Sequence, residues 1–151
     1  MALGGPVVME GRGERVRRLE GVGMETPPLW LVLAFCGEPI STREVYAACP
    51  AVAAGPDGCL EHIADAVRAG NPAMAAEALF NGLEAPVYAR YPRTAELPGA
   101  LRRAGALATL LSGSGGVVYG LAEDEAHARS IEARLPAGLW TRVVSTNAMF
   151  R

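Results

Sequence analysis

The sequence predicts an α+β fold, in which helices cover one face of a mostly antiparallel sheet. Three observations lead to this prediction. A continuous apolar run at residues 29–35 is typical of a buried strand, and apolar residues then recur at helical spacing through the middle of the chain. The last third returns to strand-like segments on both sides of a glycine-rich turn.

The part of the chain before this apolar run is rich in glycine and charge. Residues 6–9 and 14–17 predict two short strands around a turn at residues 11–13, and residues 21–28 predict a loop or linker. These segments have too few apolar side chains to make a core of their own.

The middle of the chain carries helix signals. Ser41, with Glu44 three residues later, is typical of a capping box, so a helix is expected to begin there and run to about residue 49. A second helix is expected to end at Gly70, and Asn71 is expected to cap a third. The inward stripe predicted for the second helix is Leu60, Ile63, Ala64 and Val67.

The remaining segments complete the order of elements. They are further helix at 85–104 with breaks near Pro92 and Pro98, a strand at 106–111, a turn at 112–116, a strand at 117–121, a helix opened by acidic residues 123–125, and a strand at 139–144. From residue 29 onward the order is strand, several helices, strand, strand, helix, strand. This order predicts a split βαβ, or ferredoxin-like, plan with extra helices in its first crossover.

Composition excludes several classes of function. The net charge is -2, with 14 basic and 16 acidic residues, so no electrostatic footprint for nucleic acid is expected. Three cysteines without a CxxC pair, beside two histidines, predict buried free thiols and no metal site. The longest apolar run is far shorter than the roughly 20 residues that span a bilayer, and no signal peptide is evident. We expect a cytoplasmic protein.

The first candidate site is the glycine-rich segment, which consists of Ser112, Gly113, Ser114, Gly115 and Gly116. Consecutive glycines let backbone N–H groups approach an anion closely. The segment is not a Walker A loop, because no Gly-Lys-Ser/Thr follows and it lies between two strands. A plain glycine-rich hairpin turn explains the same residues, and the motif alone favours that interpretation.

The second candidate site is Thr42 with Tyr46, which share a helix face because they are four residues apart. A hydroxyl and an aromatic ring on one face could hold a ring and a polar group, although capping plus core packing is the simpler explanation. Asn81 and Glu84 are expected to bond backbone groups across a turn in a structural role. No nucleophile–base set is recognisable.

Taken in order, these segments resemble the 4-diphosphocytidyl-2-C-methyl-D-erythritol kinases, a group of the GHMP kinase family. Residues 40–46 look like the group's V-S-T-x-E-V-Y helix start, and residues 81–87 are similar to its N-D-(L/F)-E-x-P-V segment. Residues 105–121 look like its late G-A-x-x-x-x-(M/L)-S-G-S-G-(S/A)-x-V-(F/Y)-G-L signature. The earlier segments that share the likeness are residues 4–6, 11–14 and 28–33.

The resemblance implies a GHMP kinase C-terminal domain at residues 28–151, preceded at residues 1–27 by remnant strands of the N-terminal ATP-binding domain and a linker. It implies that the glycine-rich loop lines the active-site cleft and supports phosphate binding. It further implies that Thr42 faces the cytidine end of the substrate and that Tyr46 packs near the base.

The implied reaction is ATP-dependent phosphorylation of the 2-hydroxyl of 4-diphosphocytidyl-2-C-methyl-D-erythritol, with Mg²⁺, in non-mevalonate isoprenoid biosynthesis. The family's active-site lysine, Gly-Gly-Gly-Ser-Ser loop and catalytic aspartate have no match here, so we expect no catalytic residue in this chain and no activity of the chain alone. Gly82 replaces the usual Asp, and Gly116 replaces Ser or Ala. A non-catalytic nucleotide- or partner-binding module and a fragment of another GHMP kinase, of the homoserine or mevalonate type, are the alternatives. Self-association through exposed strands is also expected.

Overall fold

The computed structural model describes residues 6–10, 14–23, 25–49 and 51–146. The elements in chain order are β1 (Val7–Glu10), β2 (Arg15–Arg18), β3 (Trp30–Phe35), α1 (Thr42–Ala48), α2 (Cys59–Ala69), α3 (Pro72–Ala78), α4 (Glu84–Arg90), α5 (Pro92–Ala95), α6 (Leu97–Ala104), β4 (Ala108–Leu111), β5 (Val117–Ala122), α7 (Glu125–Arg134) and β6 (Trp140–Ser145). The turn predicted at residues 11–13 and the family-like residues 4–5 lie outside the described residues.

The main sheet has the strand order β4-β5-β3-β6, and all neighbours in it are antiparallel. Strands β3 and β4, which α1 to α6 connect, therefore run parallel to each other with β5 between them. Strands β5 and β6, which α7 connects, run parallel with β3 between them. This arrangement confirms the predicted split βαβ plan.

The principal core lies on one face of this sheet, beneath α4, α6 and α7. Val32 of β3 and Val118 of β5 are fully buried there, as are Leu101 of α6 and Ile131 of α7. This face is apolar on both the strands and the helices, which is the arrangement that the apolar run and the helical periodicity predict.

Helices also pack on the opposite face, so the expectation that they cover a single face is wrong. Leu31 and Leu121 are cross-strand partners on that face, and α2 and α3 cover them through Ala66 and Ala75. The physical reason lies in the sequence of β3. Its run of apolar residues does not alternate with polar ones, and an unbroken apolar run is typical of a strand that is buried on both sides.

The helix boundaries follow the predicted caps. Ser41 Oγ accepts a hydrogen bond from Glu44 N at 3.4 Å, and Asn71 Oδ1 accepts from the N–H groups that open α3. Only half of the expected capping box forms, because the Glu44 carboxylate pairs with Arg90 instead, at 3.1 Å. The predicted stripe of α2 is also wrong at Leu60, which is 39% exposed.

The hairpin of β1 and β2 forms a separate two-stranded sheet. It rests on α2, where Val8 and Leu19 are buried against Ala64. Arg68 of α2 donates from Nε to the carbonyl oxygen of Glu20 at 2.9 Å, which fastens the end of the hairpin. The hairpin thus takes its apolar contacts from the rest of the chain.

All three cysteines carry free thiols, but the prediction that they are buried holds only for Cys36, because Cys49 and Cys59 are partly exposed. Over the ranges that the structure describes, none of the helices combines the length and apolar character needed to cross a membrane.

Candidate functional site

The structure brings the two predicted sites together. Thr42 Oγ1 and Ser114 Oγ share a hydrogen bond of 2.7 Å, although the residues are 72 positions apart in sequence. Thr42 is the first residue of α1, and Ser114 lies at the tip of the loop between β4 and β5. The helix start and the glycine-rich loop therefore form one surface.

The glycine-rich loop is a tight hairpin turn. Ser112 N donates to Val117 O at 2.9 Å, and Gly115 N donates to Ser112 O at 3.3 Å. Gly113 and Gly116 have φ angles of 62° and 87°, a region that favours glycine. Gly116 is buried, whereas Ser112 and Gly113 are exposed.

The turn leaves backbone donors free. Among the described residues, the N–H groups of Gly113 and Ser114 donate to no backbone or side-chain acceptor. Adjacent free N–H groups in a glycine-rich turn form the kind of concavity that binds an anion. The hairpin-turn interpretation and the anion-site interpretation are thus compatible in this loop.

The loop also makes a close apolar contact with the segment before α1. A Cβ atom built on Gly115 would lie 2.9 Å from Ile40 Cδ1. No side chain fits in that space without movement of Ile40, so glycine at position 115 lets the segment before α1 lie against the loop.

Asn81 braces the loop from the other side. Its Nδ2 donates to the carbonyl oxygens of Leu111 and Gly113, both at 2.8 Å, and its Oδ1 accepts from Leu83 N at 2.9 Å. The structural role expected for Asn81 is confirmed, and the group that it holds is the candidate phosphate loop.

Glu84 completes this brace at the edge of the sheet. Its Oε1 accepts from Leu111 N at 3.0 Å and from the hydroxyl of Tyr88 at 2.8 Å. Burial raises the pKa of Tyr88, and the hydrogen bond to Glu84 raises it further. Asn81 and Glu84 together satisfy both outward backbone groups of Leu111, the last residue of edge strand β4.

Gly82, which stands where the family segment has Asp, packs against the loop before α2. A Cβ atom on Gly82 would overlap with the carbonyl oxygen of Ala53 and with Val52. The departure from the family pattern therefore coincides with a close approach of two backbone segments.

Tyr46 lies on the exposed side of α1, where 54% of its surface is accessible. The alternative that it packs in the core is therefore wrong. Ser41 provides the cap of α1, so Thr42 is not needed for that role and is free to contact Ser114.

Other features of the described residues lie away from this surface. A cavity of about 160 Å³ lies between the start of α2 and the end of α3, and its lining does not include the glycine-rich loop. Within the described ranges, no group of three or more His, Cys, Asp or Glu side chains could hold a metal ion.

Comparison with protein families decides the classification. The family model described as GHMP kinases C terminal matches residues 63–139. The chain belongs to this GHMP kinase C-terminal family. The matched region includes α4, the brace residues Asn81 and Glu84, and the whole glycine-rich loop, so the candidate site lies largely inside the GHMP kinase match.

Individual relatives agree with this GHMP kinase classification. A protein of Pelotomaculum thermopropionicum named 4-diphosphocytidyl-2-C-methyl-D-erythritol kinase is 38% identical over 132 residues, covering 87% of this chain and 45% of the relative. A crystal structure of 4-(cytidine 5'-diphospho)-2C-methyl-D-erythritol kinase matches with a TM-score of 0.63 and 31% identity, covering 88% of this chain and 47% of that one. These matches confirm the resemblance that the sequence motifs indicate.

A homoserine kinase from Cytophaga hutchinsonii matches with a TM-score of 0.70 at 16% identity, covering 94% of this chain and 48% of that one. At this identity the match shows the GHMP kinase fold alone. The chain spans about half the length of the relatives that it matches.

Some residues that shape this GHMP kinase surface are not singled out by sequence reasoning. Ile40 lies inside the family-like segment at residues 40–46, and the motif alone does not indicate its contact with the loop. Glu38 and Thr94, which hydrogen-bond each other across 56 positions, carry no local signal because neither belongs to a motif. Only the folded chain brings them together.

Proposed function

We propose that this chain forms the substrate-binding side of the active-site cleft of a kinase. The kinase transfers a phosphoryl group from ATP to the 2-hydroxyl of 4-diphosphocytidyl-2-C-methyl-D-erythritol. The observation that carries the proposal is the contact of Thr42 with Ser114. It joins the start of α1, which carries the Thr42 hydroxyl and the Tyr46 ring, to the loop with free N–H groups. The names of the relatives at 38% and 31% identity support the choice of substrate.

The glycine-rich loop binds phosphate groups in this proposal. The N–H groups of Gly113 and Ser114 donate to phosphate oxygens, and the Ser114 hydroxyl adds a third donor when it turns from Thr42. Phosphoryl transfer depends mainly on positioning and on stabilisation of charge, so fixed backbone donors are suited to this role.

The start of α1 binds the cytidine end of the substrate. The exposed ring of Tyr46 packs against the base, and Thr42 contributes a hydroxyl one helical turn away on the same face. The diphosphate between base and sugar then extends from α1 toward the loop.

ATP supplies the transferred phosphoryl group in the complete enzyme, and it is held mainly by an N-terminal ATP-binding domain. Residues 1–27 are remnant strands of that domain and a linker, and residues 28–151 form the GHMP kinase C-terminal domain. The family's active-site lysine, Gly-Gly-Gly-Ser-Ser loop and catalytic aspartate have no match in this chain, so we assign it no catalytic residue. The chain alone is then expected to have no kinase turnover. The enzyme works in the cytoplasm, where its charged substrate is retained.

A titration with CDP tests the binding role. In ¹H–¹⁵N NMR spectra, CDP is expected to shift the amides of Gly113, Ser114 and Tyr46 in a saturable way. Tyr46→Leu should weaken binding about 5- to 10-fold, consistent with loss of one aromatic contact of roughly 1–1.5 kcal/mol. Trp140→Leu is the matched control, because this ring is 51% exposed on the opposite edge strand.

Two results would overturn the proposal. The first is the absence of saturable CDP shifts at the loop and α1, or equal effects of both variants. The second is turnover of ATP with 4-diphosphocytidyl-2-C-methyl-D-erythritol by this chain alone. Saturable shifts produced at the same residues by homoserine, and not by CDP, would favour a GHMP kinase of the homoserine type.

A further inference from the structure

One segment of the chain, residues 81–95, touches both parts of the candidate site. Its beginning holds the glycine-rich loop through Asn81 and Glu84, as described above. Its end, which includes α5, holds the connection between β3 and α1. Because α4 and α5 follow each other almost without a gap, this segment can set the distance between the two parts.

The contact at the end of the segment is a partly buried pair of hydrogen bonds to a carboxylate. Glu38 Oε2 accepts hydrogen bonds from Thr94 N at 2.8 Å and from Thr94 Oγ1 at 2.9 Å. Thr94 is fully buried. Hydrogen bonds to an ionised carboxylate are stronger than neutral ones, and the burial of Thr94 limits the access of water on that side of the contact.

A third hydrogen bond fixes the same connection. Arg93 Nη2 donates to the carbonyl oxygen of Cys36 at 2.6 Å. These three hydrogen bonds therefore hold positions 36 and 38 to α5, directly after β3 ends. By contrast, the ion pair of Arg90 with Glu44 is exposed at both side chains and is expected to contribute little.

The connection between β3 and α1 contains the residues that contact the glycine-rich loop. Ile40, two residues after Glu38, is the side chain that packs against Gly115. Thr42, two residues further, makes the contact with Ser114. Displacement of position 38 would therefore disturb both contacts, since Ile40 and Thr42 follow it by only two and four residues.

We propose that Glu38 and Thr94 are positioning residues, whose hydrogen bonds place the start of α1 on the glycine-rich loop. In this way they set the affinity of this surface for a nucleoside diphosphate. Only the identity of the ligand depends on the function proposed above. The coupling of the Glu38–Thr94 contact to the loop does not depend on it.

The test compares three threonine variants. Thr94→Val removes the hydroxyl and keeps the shape, whereas Thr94→Ser keeps the hydroxyl and should restore the wild-type behaviour. Thr109→Val is the matched control, because Thr109 is also buried but its hydroxyl has no hydrogen-bond partner among the described residues. Glu38→Met, at a half-buried position, removes the carboxylate acceptor and tests the other partner if Thr94→Val does not fold.

The ligand-free readout is the state of the loop. Thr94→Val and Glu38→Met are expected to shift the amide signals of Gly113 and Ser114 and to speed hydrogen exchange at Gly115, whose N–H closes the turn. Thr109→Val is expected to leave all three as in the wild type. Loop signals that respond no more to Thr94→Val and Glu38→Met than to Thr109→Val would overturn the proposal.

The ligand readout is a double-mutant cycle in CDP affinity. Thr94→Val should weaken CDP binding about 3- to 10-fold, as expected for the loss of a positioning hydrogen bond. Combined with Thr42→Val, the total loss should be smaller than the product of the two single effects, because both changes release the contact of Thr42 with Ser114. Fully additive effects would contradict the proposal. A wild-type chain that does not bind CDP would overturn the proposed function, while the ligand-free readout would still decide the role of Glu38 and Thr94.

Discussion

The hydroxyl oxygens of Thr42 and Ser114 lie 2.7 Å apart, and this contact joins the start of α1 to the tip of the glycine-rich loop. Asn81 holds the other side of the same loop through the carbonyl oxygen of Gly113. The loop is thus held between a helix start and a side-chain amide, while the N–H groups at its tip stay free of acceptors among the described residues. A loop held in this way is preorganised, which reduces the cost of ordering it when an anion binds.

The neighbouring hydroxyls of Ser41 and Thr42 are expected to have separable roles. Ser41→Ala should lower the free energy of unfolding by about 1 kcal/mol, because it removes the cap of α1. Thr42→Val should cost less stability, since its hydrogen bond is exposed, but it should shift the amides of Gly113 and Ser114 more. Chemical denaturation and NMR spectra of both variants give the comparison. Equal loop shifts in the two variants would contradict it.

Asn81 should not tolerate replacement by aspartate. In Asn81→Asp, a carboxylate oxygen would face the carbonyl oxygens of Leu111 and Gly113, which now accept from the amide. We expect a loss of roughly 2–3 kcal/mol in the free energy of unfolding, because two acceptors lose their donor and face a negative charge instead. Denaturant unfolding curves measure this loss.

Asn71 supplies the matched control for that change. Its Oδ1 accepts from Ala73 N and Met74 N, and these bonds use only the acceptor of the amide. Asn71→Asp keeps the acceptor and adds a negative charge at the start of α3, so its stability should be nearly unchanged. A similar loss in both aspartate variants would show that the donor of Asn81 is not what matters.

Local signals made much of this fold predictable. The caps at Ser41 and Asn71 and the apolar run of β3 located their elements within a residue or two. The packing of α2 and α3 on the second face was not predicted, because it depends on how the long crossover folds back. Likewise, the hydroxyls of Thr42 and Ser114 were found separately, but their contact across 72 positions is a property of the tertiary structure.

Glycine is expected to be required at position 82, because the neighbouring atoms leave no room for a side chain. Gly82→Ala should destabilise the chain by about 1–3 kcal/mol, because the new Cβ would overlap with the carbonyl oxygen of Ala53. Gly82→Asp, which brings back the residue usual in the family, should be at least as costly. Gly23→Ala is the control, since a Cβ atom added there would have no neighbouring atom within 4 Å and the position needs no positive φ. Thermal unfolding of the three variants measures the difference, and a neutral Gly82→Ala would contradict this account.

Stability is expected to fall at alkaline pH because of a partly buried tyrosine. Burial, helped by the charge of Glu84, raises the pKa of Tyr119 to about 12. The unfolded chain releases this proton near pH ~10, so above that pH the folded state binds more protons than the unfolded state, and stability declines until about pH 12. Tyr119→Phe should therefore lose less stability than the wild type between about pH 9 and pH 11. The same slope in both proteins, measured by denaturant unfolding at the two pH values, would rule out this cause.

The β1–β2 hairpin is expected to mediate self-association. Met9 and Val16 are cross-strand partners, 62% and 43% exposed, so they form an apolar patch on a small sheet whose strands pair only with each other among the described residues. Exposed strand edges next to apolar side chains are prone to pair with another chain. Met9→Thr combined with Val16→Thr keeps good strand formers and should shift the protein toward monomer in sedimentation velocity experiments. Val52→Thr, at a residue 47% exposed outside the hairpin, should not. A wild-type chain that stays monomeric at high concentration would contradict the prediction, as would equal effects of the hairpin and control changes.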